Sequence, residues 1–356
     1  MQRLKKFILL LLIVVVVQNS NAQKPVDSLL LTGKKDTSTN IITYRHLVNL
    51  TPAWSLRNFE FQINYADNLK IILRPNEIQQ VSLDFAYRFV SLGFSYTPKI
   101  LNNTNNAQRG ETDRTSFNFG FKPGRFEFKF EYAKTTGFYL KNTNDYDTAW
   151  APGKSYIQFP NLTNQQYGFS LSYNFNKKFS TASLTNGVEQ QQHSVFSFIP
   201  ALYAYYYKLY EPDSLGNNTS GDYLRDIDIN LILPIAYNWV FDKKQKWNVG
   251  AIAGPSIGTD IYTANNLSLS NNQNYKAALL STGYFARIGI GYTTTKWFWG
   301  AEAVYRRYSN TNEAAEKIVK LFYNVQVYAG FRLVPPKFMR RTVDWAKDKS
   351  PVKLED

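Results

Sequence analysis

Cysteine is absent from this 356-residue chain, and histidine and methionine occur only twice each. Without cysteine there is no disulfide scaffold, no thiolate zinc site, no cysteine nucleophile and no lipid-anchoring thiol. Two histidines are too few for a multi-histidine metal centre. Acidic residues are scarce beside basic ones, 27 against 41, for a formal net charge of +14. After the first 17 residues no apolar run approaches the roughly 18 residues of a membrane-crossing helix. Aromatic residues, by contrast, are abundant: 25 Tyr, 25 Phe and 7 Trp, or 16% of the chain. Disordered chains are poor in aromatics, so an extensive folded surface is expected.

The N-terminus reads as an export signal. Arg3, Lys5 and Lys6 precede an unbroken apolar run from Phe7 to Val17, and Ser20 and Ala22 supply the small residues of a cleavage site. An apolar run of that length is too short for a bilayer, which needs about 20 residues. Cleavage is expected between Ala22 and Gln23, with delivery to an outer membrane.

From there the chain alternates. Phe126, Phe128, Phe130 and Tyr132 are interleaved with Glu127, Lys129, Glu131 and Ala133. Just upstream, Phe117, Phe119 and Phe121 are interleaved with Asn118 and Gly120. Period-2 alternation puts the two sets on opposite faces of a strand. Lys122-Pro123-Gly124-Arg125 between them has turn composition, so the pair is a hairpin with one aromatic and one polar face. The same dyad recurs at 81–89, 167–175, 227–239, 280–292 and 321–333. Serial segments of about ten residues with this pattern are the signature of a transmembrane β-barrel.

Connection lengths point the same way. Short links at 89–90, 122–125, 241–246 and 293–296 alternate with long polar ones at 98–114, 141–163, 210–222, 259–275 and 309–319. The expectation is an all-β, antiparallel up-and-down transmembrane barrel of about twelve strands, within a range of ten to fourteen, with short periplasmic turns and long extracellular loops. The strands are placed at 56–66, 78–89, 90–98, 115–122, 126–140, 164–176, 195–209, 224–240, 247–258, 276–292, 297–308 and 320–333. Around them lie a signal peptide (1–22), a polar leader (23–40), the barrel domain (41–333) and a polar periplasmic tail (334–356). Residues 177–194 resist this scheme; they hold a short strand-like piece from Phe179 to Asn186 and read as a periplasmic or lumenal excursion.

The run Gly120–Leu140 (GFKPGRFEFKFEYAKTTGFYL), the segment Tyr156–Leu162, the run Tyr167–Lys178 (YGFSLSYNFNKK) and Ser197–Pro200 together resemble the domain-of-unknown-function family numbered 4421. The resemblance implies an outer-membrane-type barrel and transfers no catalytic residue.

Chemistry is sought on the inward face. The charged lumen candidates are Asp84, Arg88, Lys122, Glu127, Lys129, Glu131, Asp228, Arg287, Glu302, Arg306 and Arg332. They would form either a salt-bridged filling or a water path whose charges tune solute passage. The lipid-facing aromatics are Phe117, Phe119, Phe121, Phe126, Phe128, Phe130, Tyr132, Tyr167, Phe169, Tyr173, Tyr237 and Trp239. No cofactor and no metal site are expected; Asn142–Asp147 is oxygen-rich but lacks the glycine and terminal glutamate of a calcium loop. Nucleic acid is not an expected partner, because aromatics and charges occupy opposite faces. Outer-membrane lipids are, and a solute or protein partner is left open. The reading is a structural or binding barrel, or a narrow channel, without catalysis. The alternative is a lipid-modifying acyl hydrolase. It needs a serine within reach of His46 or His193, and Ser194, adjacent to His193, would point to the other face of a strand.

Overall fold

The structure is a computed structural model and describes residues 31–36, 38–64, 69–102, 105–185, 187–211, 223–265, 275–311 and 317–350. The proposed signal peptide lies outside the described residues.

Strands β1 (Lys34–Asp36), β2 (Ile41–Thr43), β3 (Val48–Asn64), β4 (Lys70–Arg74), β5 (Ile78–Tyr87) and β6 (Val90–Tyr96) lead to a short helix, α1 (Asn106–Arg109). Then come β7 (Asp113–Phe121), β8 (Phe126–Leu140), β9 (Gln158–Tyr173), β10 (Glu189–Gln191), β11 (Val195–Phe198) and β12 (Ala201–Tyr210). The rest are β13 (Tyr223–Ile232), β14 (Ile235–Val240), β15 (Trp247–Asn265), β16 (Tyr275–Thr293), β17 (Trp297–Thr311), β18 (Lys317–Leu333) and a terminal helix, α2 (Lys337–Lys349).

Antiparallel pairing runs β3-β5-β6-β7-β8-β9-β12-β13-β15-β16-β17-β18 and returns to β3, a closed barrel of twelve strands. Among the described residues closure pairs each of these twelve strands on both sides, which is what a sheet in hydrocarbon requires. β11 and β14 are the periplasmic halves of the β12 and β13 wall strands; Pro200 and Pro234, which lack an N–H, mark the interruptions.

Register explains the aromatic face. Phe94, Phe117, Tyr132, Tyr167, Tyr206 and Ile227 sit directly opposite one another across successive strands. A second row runs Leu92, Phe119, Phe130 and Phe169, and a third Phe121, Phe128 and Leu171. These side chains point outward, Phe130 with 40% of its surface exposed. An apolar belt this continuous marks a lipid-facing wall rather than a soluble surface. Among the described residues no helix is long and apolar enough to cross a membrane; the strands do so.

The extracellular end steps inward. At Gly137 the backbone takes φ +92°, and a Cβ there would meet the Glu111 carbonyl oxygen at 2.0 Å. This bulge detaches β8 from β7 and turns Tyr139 and Leu140 onto β4, whose other edge pairs with β3. β4 thus bridges β3 and β8 above the shorter β5, β6 and β7 and narrows the mouth. Beneath it, Phe59, Phe61, Leu73, Ile78, Phe138, Leu140, Leu209, Leu224, Leu279 and Ile318 pack into a buried apolar cluster. All lie near the extracellular ends of their strands, so this end of the barrel is filled.

The periplasmic end carries a plug. Residues 177–194 turn into the barrel through a single 3-10 turn, Ala182–Leu184, then leave as β10. β10 pairs with β2, and β2 with β1, giving a small three-stranded sheet. The strand-like reading of Phe179–Asn186 is therefore corrected to a turn at Ala182–Leu184, and Asn186 lies outside the described residues. Leu184 and Ser183 are buried, and the Leu184 carbonyl accepts a bond from Tyr328 Oη at 3.2 Å. Asn238 Nδ2 donates to the Ser180 carbonyl at 2.8 Å. The tail continues as α2, which lies on the outside of the barrel wall.

Candidate functional site

Between the apolar cluster and the plug lies a cavity of about 300 Å3, at the lower end of ligand sites, roughly 300–1,000 Å3. One inward-facing row of opposed residues encircles much of it, Thr51, Asp84, Gly93, Asn118, Glu131, Gly168 and Tyr205, and then leaves the cavity through Asp228 and Asp260. Two glycines make the row wide enough for its neighbours. A Cβ on Gly93 would meet Asp84 Oδ1 at 2.2 Å, and one on Gly168 would meet the Tyr205 ring at 2.3 Å.

Charges line this cavity in pairs, with a remainder. Arg287 binds Glu302 through two nitrogens, at 3.0 and 2.5 Å to Oε2. Lys129 Nζ lies 2.9 Å from Glu127 Oε1. Arg57 and Arg114 both approach Glu131 Oε1, each at 3.6 Å. Arg306 donates to Tyr205 Oη at 2.6 Å and stacks over Phe322 at 4.4 Å, with Arg57 at 5.5 Å from the same ring. Glu131 is thus shared by two guanidiniums, Arg57 and Arg114, and a third, Arg306, is held beside them by Tyr205 and Phe322. Arg114 is 1% exposed, and its Nε and the Arg306 Nε have no hydrogen-bond partner. Asp84 faces the same cavity.

Above this ring a second cluster sits below the apolar filling. Lys320 Nζ contacts Asp226 Oδ2, Asp228 Oδ1 at 2.6 Å and Asp260 Oδ2 at 3.1 Å. The three carboxylates lie within 4.8 Å of one another. Such a set is a candidate for a cation, and the Lys320 ammonium takes that place. Asn310 Nδ2 adds a bond to Asp260 Oδ2 at 3.2 Å, and Lys320 lies 5.4 Å from the Tyr207 ring.

The remaining lumen candidates divide. Lys122 reaches the plug, 3.6 Å from Glu189 Oε2, and Arg332 clamps it by donating to the Gly187 and Thr294 carbonyls and to Asn49 Oδ1 at 3.2 Å. The Arg332 guanidinium stacks on Tyr44 at 3.6 Å. Arg88 is a correction. It occupies the two-residue turn between β5 and β6 with φ +52°, so the strand alternation has ended and its side chain leaves the wall to meet Asp344 of α2 at 2.6 Å. The oxygen-rich loop is spent on structure: Asn142 bonds the Lys70 carbonyl at 2.7 Å, the Ile72 N–H at 3.0 Å and Asp145 at 2.7 Å, tying this loop to β4.

Arg57, Arg114, Asp226, Asp260, Lys320, Tyr203, Tyr205 and Tyr207 line the interior without having been singled out. The signal for them was parity. Asp226 shares a face with Asp228, and Lys320 with Asn324 and Arg332. Asp260 escaped because 259–275 read as loop, whereas β15 extends to Asn265. The tyrosines escaped because Tyr205, Tyr206 and Tyr207 are consecutive aromatics and hide the dyad.

A family model described as Domain of unknown function (DUF4421) matches residues 41–333. The chain belongs to that family. No curated protein sequence matches it. Among solved structures, this DUF4421 chain is similar to the outer-membrane protease OmpT from Escherichia coli, at 7% identity and a TM-score of 0.36, over 82% of this chain and 98% of that one. It is also similar to the Pseudomonas putida toluene transporter TodX (8%, TM-score 0.30, 81% and 91%) and to the beta domain of the Bordetella autotransporter BrkA (8%, 0.35, 80% and 99%). At these scores neither proteolysis nor transport passes to this chain, and its architecture rests on its own strand pairings.

Proposed function

We propose that this protein is an exported outer-membrane barrel that binds a small anionic solute, of carboxylate or phosphate type, in a lumen closed at rest. The observation that carries the reading is the guanidinium surplus around Glu131. With Arg287 matched by Glu302 and Lys129 by Glu127, Arg57 and Arg114 share Glu131, and Arg57 and Arg306 line the cavity together with Asp84. Guanidinium groups match carboxylate and phosphate oxygens bidentately, and shielding from bulk solvent strengthens the contact. Thr185 of the plug lines the cavity, so displacement of the plug is the route by which solute enters. Two features favour binding over acyl hydrolysis. His193 is exposed, and the Ser194 hydroxyl accepts the Val240 N–H at 3.0 Å.

Calorimetric titration of the refolded protein with inorganic phosphate and with succinate tests this. Saturable binding of at least one probe is expected, weakened more than tenfold by Arg306→Gln and little changed by Lys129→Gln. Absence of binding to either probe by the folded protein overturns the reading. Export is tested separately: N-terminal sequencing of protein from the outer-membrane fraction should begin at Gln23, and a start at Met1 would contradict it.

A further inference from the structure

The terminal helix points to a membrane function distinct from anything in the lumen. α2 does not hang free. Its Met339 and Val343 pack against Val48, Leu50, Phe85, Tyr87, Phe331 and Leu333. By strand parity those residues face away from the lumen: Thr51, Asp84, Ala86 and Gln326 line the cavity, and Leu50, paired directly with Phe85 and with Phe331, lies on the opposite face. The helix therefore lies on the outer wall of β18, β3 and β5 at their periplasmic ends, pinned by Asp344 to Arg88 at 2.6 Å.

Only half of its apolar arc is used there. At 100° per residue Met339, Val343 and Ala346 form one flank, and Phe338 and Trp345, seven residues apart, form the adjoining one. Phe338 is 68% exposed and Trp345 65% exposed. The opposite arc carries Lys337, Arg340, Arg341 and Lys347 with Asp344 and Asp348, and Lys349, the last residue of the helix, falls beside the aromatic flank. A helix with aromatic residues on one flank and cations on the other, lying beside a lipid-facing wall, has the build of an interfacial helix. Exposed aromatics of this kind suit the interface below the headgroups, and the cations complement lipid phosphates.

We propose that α2 docks on anionic phospholipid of the periplasmic leaflet, with Phe338 and Trp345 inserted below the headgroups and the arginines at the phosphates. The helix then acts as a collar that fixes the barrel's depth on one side.

The cysteine-free chain allows a direct test. Phe338→Cys, Trp345→Cys and Arg341→Cys, each in the full chain and labelled with a bimane, are refolded into phosphatidylcholine vesicles with and without phosphatidylglycerol. Labels at 338 and 345 should be quenched several-fold more by doxyl-lipid than by aqueous iodide, and the label at 341 should show the reverse. Phosphatidylglycerol should raise lipid quenching at 345, and the rise should vanish when Arg340→Gln and Arg341→Gln are added. Preferential iodide quenching at 338 and 345 overturns insertion. Shielding from both quenchers, with crosslinking between barrels, assigns the face to a second copy and overturns the proposal. Indifference to phosphatidylglycerol overturns the anionic-lipid part.

Discussion

Glu189 is buried on the plug with Arg45 at 2.5 Å, Lys122 at 3.6 Å and the Ser180 hydroxyl at 2.6 Å. Burial alone would push its carboxyl up, but the two cations outweigh that and hold it at about 2. In the unfolded chain the same group titrates near 4.3. A depressed folded value gives stability that is complete above the unfolded value and drains away as pH falls from about 4.3 towards 2, worth about 3 kcal/mol at neutral pH. Glu189→Gln should therefore destabilise the plug at pH 7 and be nearly neutral at pH 2, measured by protease sensitivity of residues 177–194. Equal sensitivity of both proteins at pH 7 would contradict the pairing. Lys320 is the mirror case, one cation among three carboxylates. Lys320→Met strands all three and should cost about 3–5 kcal/mol in urea titrations, as removal of one partner from a buried ion cluster does. Single residues of this kind were the least legible from sequence. Asp228 and Arg306 showed by parity alone, whereas the partners that give them meaning come from strands far away in the chain.

At the scale of the element, β8 was the most legible piece, because Phe126 to Tyr132 alternates without a break between a turn and a long loop. Its two faces differ in what they tolerate. Phe130 has Phe119 and Phe169 beside it on the lipid side, and Phe128 lies nearer the strand's periplasmic start. An arginine at 130 has no aqueous partner, and near the bilayer midplane it costs about 2–4 kcal/mol. Phe130→Arg should thus reduce folding stability in vesicles by that order, and Lys129→Gln by less, since Lys129 faces water or Glu127. The reverse order in urea titrations would mean that the faces are inverted. Strand ends were harder to read. β3 begins at Val48 rather than residue 56 because its first turns bury Val48 and Leu50 under α2, which no local pattern announces. β4 was missed for a related reason: it is stabilised only by pairing with β3 and β8, which are distant neighbours.

For the whole molecule, alternation and the parity of loop lengths were enough to give the twelve-stranded antiparallel wall. What they could not give is the filling. The apolar cluster draws its members from strand ends around most of the ring, and the plug folds inward only because Arg332, Tyr328 and Asn238 on the wall receive it. Both depend on three-dimensional closure, and period-2 patterning carries no information about what occupies the centre. We propose that these two fillings seal the lumen around a charged chamber. Single-channel recording of the refolded, full-length protein in a planar bilayer tests it most directly. A sealed barrel should insert without a steady conductance step at moderate voltage, and reproducible, ohmic open-channel steps from the intact chain would contradict it.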